Sequence, residues 1–211
     1  MTDQPGLYPK LTEFLKASRI DSSKLAIKRL FILTELASAI QVAIERGQTP
    51  DLVFICTHNS RRSHIAHLCA EAAARLYAVD VRGYSGGTEA TAFNPRAVAA
   101  LERAGFDIKS GDGENPRCAG TMSSDTAPID CFSKHYADPP NPTADFMAVM
   151  VCDSADEACP HVAGAASRFA LPYVDPKHAD DTAEESAAYD AAVRQIAGEM
   201  LFVMGEAAGH E

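Results

Sequence analysis

The chain has no apolar run approaching the length that spans a bilayer, and Met1 to Lys10 is polar and contains a proline where a signal peptide would carry an apolar core. A cytoplasmic protein with no membrane partner is therefore expected. Basic residues are also short, with 19 Lys and Arg against 29 Asp and Glu and a formal charge of −10. A nucleic-acid backbone needs clustered positive charge, so nucleic acid is not an expected partner, and an anionic substrate has to be caught by a local positive site. No two cysteines stand in Cys-x2-Cys spacing and the histidines are scattered, so no metal is expected. Internal repeats and low-complexity tracts are missing too. With 46% hydrophobic and 23% charged residues, neither disorder nor a disulfide-stapled miniature fits, and 211 residues suffice for one sizeable α/β domain with one site.

The chain does contain six cysteines: Cys56, Cys69, Cys118, Cys131, Cys152 and Cys159. In a cytosolic protein these are reduced thiols rather than staples. Cys69 lies in an Ala-rich helical pattern and reads as a small buried hydrophobe, while Cys118 and Cys131 carry no readable role.

Ser22 to Arg46 has Ile27, Leu30, Leu33, Ala37, Ile40 and Ile44 at helical spacing, after the start signal Asp21-Ser22-Ser23 and before Gly47. That helix must bury its apolar face, either on the rest of the chain or on another subunit, which makes a homodimer through it one option. From Asp51 onward strand and helix signals alternate. Asp51 to Ile55 reads as a strand leading into Cys56, and Ser63 to Ala78 as a helix. Val79 to Ser85 reads as a strand broken by Gly86-Gly87, and Asn94-Pro95 opens a helix to Ala104. Lys109 to Pro142 reads as a long surface segment with one short strand and one short helix. Phe146 to Val151 and Arg168 to Leu171 read as strands, and Thr182 to Val203 as a terminal helix. The expected fold is an α/β three-layer sandwich, a four-stranded parallel sheet flanked by helices over residues 51–211, with a helical extension over residues 1–50. Ligands of such sheets sit at the carboxyl ends of the strands, where Cys56 and Cys152 both fall.

The loop Cys56-Thr57-His58-Asn59-Ser60-Arg61-Arg62-Ser63 is the candidate site. A tight turn between strand and helix aims successive backbone N–H groups at one point, and the helix N-terminus adds partial positive charge there. Such a cradle suits a tetrahedral oxyanion. Arg62 supplies a bidentate fork, Ser63 can donate to the Cys56 sulfur and hold it as a thiolate nucleophile, and Asn59 can brace the loop. Cys-x5-Arg spacing alone arises by chance in a chain with this many cysteines and arginines. Its place after an apolar strand and before a helix is what marks it. The plain alternative is a buried Cys56 beside a solvated Arg62.

Val53 to Ser63 resembles the phosphate loop of the low-molecular-weight protein tyrosine phosphatase superfamily, and most closely that of its thioredoxin-coupled arsenate reductases. Tyr84-Ser85-Gly86-Gly87-Thr88, Asn94-Pro95-Arg96-Ala97-Val98 and Val174-Asp175-Pro176 match later family segments in order, so the resemblance spans roughly Asp51 to Val203. It departs at His58, Arg61 and His67, where members commonly have Gly, Cys and Glu. The last change removes a ligand of the potassium site known in some arsenate reductases. The resemblance adds Ser85 to the loop's supports and implies that Asp175 is the general acid. It further implies that Cys152 and Cys159 are a redox pair, with no bound cofactor and with thioredoxin as the external reductant.

Three functions follow. In arsenate reduction Cys56 attacks arsenate, Cys152 displaces arsenite from the adduct, and Cys159 takes the disulfide outward. In phosphate-ester hydrolysis Cys56, Arg62 and Asp175 suffice. The residues after that acid, Lys177-His178-Ala179, are not the aromatics that usually sandwich a phosphotyrosine ring, although Tyr173 or Tyr136 could line the entrance. The third is a non-catalytic oxyanion or redox sensor. For the two later cysteines the plain alternative is a core thiol and a bystander.

Overall fold

The structure, a computed structural model, describes residues 6–158 and 161–209. Helix α1, Pro9–Ser18, was not expected from the sequence; it opens on Pro9, at a position where no backbone N–H is needed. The signal Asp21-Ser22-Ser23 caps a 3-10 turn, Ser22–Lys24, through the Asp21 carboxylate on Ser23 N, and helix α2, Ile27–Glu45, begins only after it. Leu33, Leu36, Ala37 and Ile40 form the buried stripe of α2, whereas Ile27 is exposed.

Strand β1, Asp51–Cys56, is buried from Leu52 to Cys56, as befits a strand covered on both faces. Helix α3, Arg62–Tyr77, follows the candidate loop, and strand β2 is Arg82–Gly87. The expected break at Gly86-Gly87 does not occur, because β2 runs parallel to β1 until Gly87 stands beside Cys56. Glycine is needed there: a Cβ on Gly87 would lie 2.7 Å from Thr57 O and from Asn59 N. Helix α4, Pro95–Ala104, is capped by Asn94 on Arg96 N at 2.9 Å and ends at Gly105 in the left-handed region, φ +110.

The segment expected to be mostly irregular instead forms an antiparallel sheet of β3 (Asp107–Ser110), β4 (Cys118–Thr121) and β5 (Ile129–Cys131). Strands of three or four residues are too short to show a period in sequence. Strand β6 (Phe146–Met150), helix α5 (Asp153–Ala158), strand β7 (Ala165–Ala170), a 3-10 turn (Pro176–Ala179) and helix α6 (Glu185–Ala207) complete the chain.

The main sheet has four parallel strands in the order β2-β1-β6-β7, with helices flanking it, as the sequence led us to expect. Helices α1, α2, α3 and α4 all pack on α6, so the stripe of α2 is covered within the chain. Among the described residues no helix is long and apolar enough to cross a membrane.

Truncating the fully buried Leu36 to Ala should cost about 2–5 kcal/mol of unfolding free energy, read from urea midpoints. A loss below about 0.5 kcal/mol would be the behaviour of a surface residue and would show that α2 is not packed as described.

Candidate active site

Parallel pairing of β1 with β6 sets Ile55 beside Met150, so Cys56 and Cys152 leave adjacent strands at the same edge of the sheet. The loop after Cys56 is then fixed by its carbonyls. Cys56 O accepts from Thr88 N (3.1 Å), Thr57 O from Glu89 N (2.8 Å), and Ser60 O from Asn94 N (2.8 Å). His58 O accepts from Ser133 Oγ (2.9 Å) and Thr91 Oγ1 (3.1 Å). Carbonyls drawn outward leave the amides of the same peptides turned inward, toward the N-terminus of α3.

Asn59 is fully buried and sits in the left-handed region, φ +44, which Asn tolerates better than most residues. Its Oδ1 accepts from Lys134 N at 2.9 Å, and its Nδ2 donates to Ser63 Oγ at 2.8 Å. Ser63 Oγ lies 3.1 Å from Cys56 Sγ. Because Asn59 already donates to that hydroxyl oxygen, the Ser63 proton is free to point at the sulfur.

Arg62 donates from Nη1 to Tyr173 O at 2.9 Å and from Nη2 to Asp175 Oδ2 at 2.6 Å. Asp175 also accepts from Lys177 N at 3.0 Å, so it caps the 3-10 turn while facing the loop. Cys56, His58, Ser60, Arg61, Arg62 and Asp175 line a cleft of about 10 Å³, room for roughly one water. The Arg62–Asp175 pair is part of what closes the space over Cys56 to that size. Tyr173 does not line the entrance; it is 4% exposed, and neither it nor Tyr136 reaches the cleft.

The other expected residues divide. Thr57 Oγ1 is 3.5 Å from Cys152 Sγ, which brings the second thiol against the loop. Arg61 borders the cleft but spends its donors elsewhere, on Tyr189 OH at 2.7 Å and Asp180 Oδ2 at 3.3 Å. His58 is solvent-facing, with Nε2 3.6 Å from a Glu89 carboxylate oxygen. Ser85 meets His64 Nδ1 at 3.1 Å and so supports the loop only through α3. Cys159 lies outside the described residues. Among the described residues no group of three or more His, Cys, Asp or Glu side chains is placed to hold a metal ion.

Three buried titratable groups near the loop were not legible in the sequence. His64 stacks on Phe93 with ring centroids 4.1 Å apart, and burial, with the Lys134 charge adding to it, holds its imidazole well below the usual range. Burial and Lys134 likewise hold His67 down to about 3. Lys134 is itself 5% exposed, and burial lowers its own pKa. Where the family resembled commonly has a carboxylate, this chain thus has a neutral imidazole near a buried ammonium. Ser133 and Lys134 come from a stretch read as irregular, and only Asn94, as a helix cap, was visible in the sequence.

No family model matches the chain. It is 31% identical over 150 residues to an arsenate reductase of Bacillus licheniformis, covering 71% of this chain and 91% of that protein. It is 32% identical over 151 residues to an arsenate reductase of Bacillus subtilis, again covering 71% and 91%. A solved low-molecular-weight phosphotyrosine phosphatase of Vibrio cholerae O395 overlays with a TM-score of 0.49 at 12% identity, covering 74% of this chain and 95% of that one.

Ser63→Ala removes the donor to the sulfur and should slow alkylation of Cys56 by iodoacetamide at pH 7 by about tenfold, followed by mass spectrometry; an unchanged rate means the hydroxyl does not stabilise the thiolate. A second expectation concerns acid. The unfolded chain protonates His67 near its ordinary value of 6.5 while the folded protein does not until about 3. Stability must then fall as pH drops from 6.5 toward 3, by up to about 1.4 kcal/mol per pH unit for one such group. Urea unfolding at pH 7 and pH 5 should show a smaller drop for His67→Gln than for the parent, and equal drops would refute this origin.

Proposed function

The chain belongs to the arsenate reductase family, and on that premise we propose that it reduces arsenate to arsenite through a Cys56 adduct. The observation that carries this reading is the Cys152 thiol, 1% exposed and 3.5 Å from Thr57 Oγ1, at the strand end beside the nucleophile. Hydrolysis of a phosphate ester has no use for a second thiol there. Among the described residues no tyrosine, phenylalanine or tryptophan lines the cleft, which points the same way, toward a small inorganic oxyanion rather than an aryl ester.

In the proposed sequence the inward amides and Arg62 bind the arsenate oxygens. The Cys56 thiolate attacks arsenic, and Asp175 delivers a proton so that one oxygen leaves as water. Cys152, as thiolate, then attacks the Cys56 sulfur. The S–As bond breaks with its electron pair passing to arsenic, which leaves as arsenite, and a Cys56–Cys152 disulfide remains. Cys159 attacks Cys152 to free Cys56, and an external dithiol, which we take to be thioredoxin, reduces the new disulfide. Such a relay belongs in a reducing compartment, consistent with a cytoplasmic setting. The homodimer that the sequence left as one option would use the exposed Ile27 and Phe31 of α2, since the helix's buried stripe is covered within the chain. The second reading is phosphatase action by Cys56, Arg62 and Asp175 through a phosphocysteine, in which Asp175 first protonates the leaving oxygen and then activates water.

The two readings separate in one experiment. With arsenate, thioredoxin, thioredoxin reductase and NADPH, the parent should consume NADPH, and Cys152→Ser and Cys159→Ser should each lower the rate at least about a hundredfold, on the scale of losing a covalent catalyst. Aryl-phosphate turnover that ignores both changes, with no arsenate-dependent NADPH loss, would establish the phosphatase instead.

A further inference from the structure

Asp175 is held in front by Arg62, and its segment is held from behind by a residue outside the stretch that resembles the family. Resting on the reading above, we propose that Arg29 of α2 is a positioning residue for the acid, fixing the segment Pro172 to Asp175 in register with the Cys56 loop.

Three contacts of one guanidinium carry the inference. Arg29 Nε and Nη2 donate to the two carboxylate oxygens of Glu199, at 3.1 and 2.6 Å. Glu199 lies on α6 and is 2% exposed, so the fork is anchored on the helix that organises the core. Arg29 Nη1 donates to Pro172 O at 2.9 Å, and the guanidinium carbon lies 4.6 Å from the centroid of the Tyr173 ring. The carbonyl of that same Tyr173 accepts from Arg62 Nη1 at 2.9 Å. Residues 172 and 173 are thus gripped between two arginines, one at the oxyanion seat and one in the N-terminal helix. Beyond them Val174 is 73% exposed and gives Asp175 no packing of its own. The height of the carboxyl above Cys56 therefore follows from where Tyr173 is held.

The residue type matters. A planar fork can bind a carboxylate through two N–H groups, spend a third on a carbonyl and lay its face on an aromatic ring at once. A lysine ammonium in the same place cannot do all three. If α2 needed only an anchor to α6, the Glu199 pair would suffice; the third N–H instead goes to a carbonyl three residues before the acid.

Removing Arg29 alone would strand a buried carboxylate, so the test variant is Arg29→Met with Glu199→Leu, which replaces the pair by apolar groups and commonly preserves folding. The parent and the double variant are compared on p-nitrophenyl phosphate and phenyl phosphate, because the poorer leaving group depends more on a well-placed acid. The ratio of kcat/KM for the two esters should rise about tenfold in the variant, a fraction of the 10²–10⁴ that a general acid supplies. Amide exchange at residues 173–175 should quicken about tenfold while that of β3 stays unchanged. A folded double variant with the parent's ester ratio and exchange rates overturns the proposal. If the double variant does not fold, Arg29→Lys serves: it should shift both readouts in the same direction by about threefold, and no shift overturns the proposal. If the parent does not turn over aryl phosphate, the exchange comparison, which needs no turnover, decides the Arg29 role alone, and a parent that turns over neither arsenate nor aryl phosphate defeats the functional reading as well.

Discussion

The outward pull on four carbonyls of the β1–α3 loop is the constraint on which the rest depends. A chain leaving a strand for a helix within a few residues has more donors than partners, and water would normally take them. Here Thr88, Glu89, Thr91, Asn94 and Ser133 occupy the carbonyls, so the donors are committed to the other side of the loop. Asn59 closes the arrangement: its strained backbone, costing about 1 kcal/mol, is offset by two hydrogen bonds, to Lys134 N and to Ser63. The surroundings of Cys56 are thus built mostly by residues that do not touch it.

That division explains what was legible. The strand, the loop and the helix it opens could be read because each signal is local: an apolar run, a Cys-x5-Arg spacing, a stretch of good helix formers. The cap of α4 was readable for the same reason. The small sheet was not, since three-residue and four-residue strands leave no period, and with it went Ser133 and Lys134, whose use is evident only once the segment after β5 is bridged to Gly87 at the end of β2. Helix α1 was passed over because Pro9 sits inside a polar stretch. Tyr173 shows the opposite error. Its place just before the acid suggested a substrate wall, but its ring is spent on Arg29.

Charge follows a similar logic. In a chain with a formal charge of −10, most arginines near the site are already spoken for. Arg61 is held by Asp180 and Tyr189, and Arg96 by Asp181 and Glu185. Placing Arg where the family resembled has Cys therefore adds a brace between the loop and α6 rather than a second hand on the oxyanion. The buried Lys134 and the two neutral imidazoles add no negative charge near the loop.

The Arg62–Asp175 contact makes the protein its own competitor. If Arg62 holds an oxyanion as proposed, that ion has to replace a carboxylate already on the guanidinium, so a species with a single negative charge exchanges like for like and gains little. A doubly charged tetrahedral ion gains a second attraction to the same fork and amides, and in displacing the carboxylate it frees that group to pick up and pass on a proton. On the proposed function, the pair therefore ranks incoming ions by charge before shape, a doubly charged tetrahedral ion ahead of chloride or nitrate.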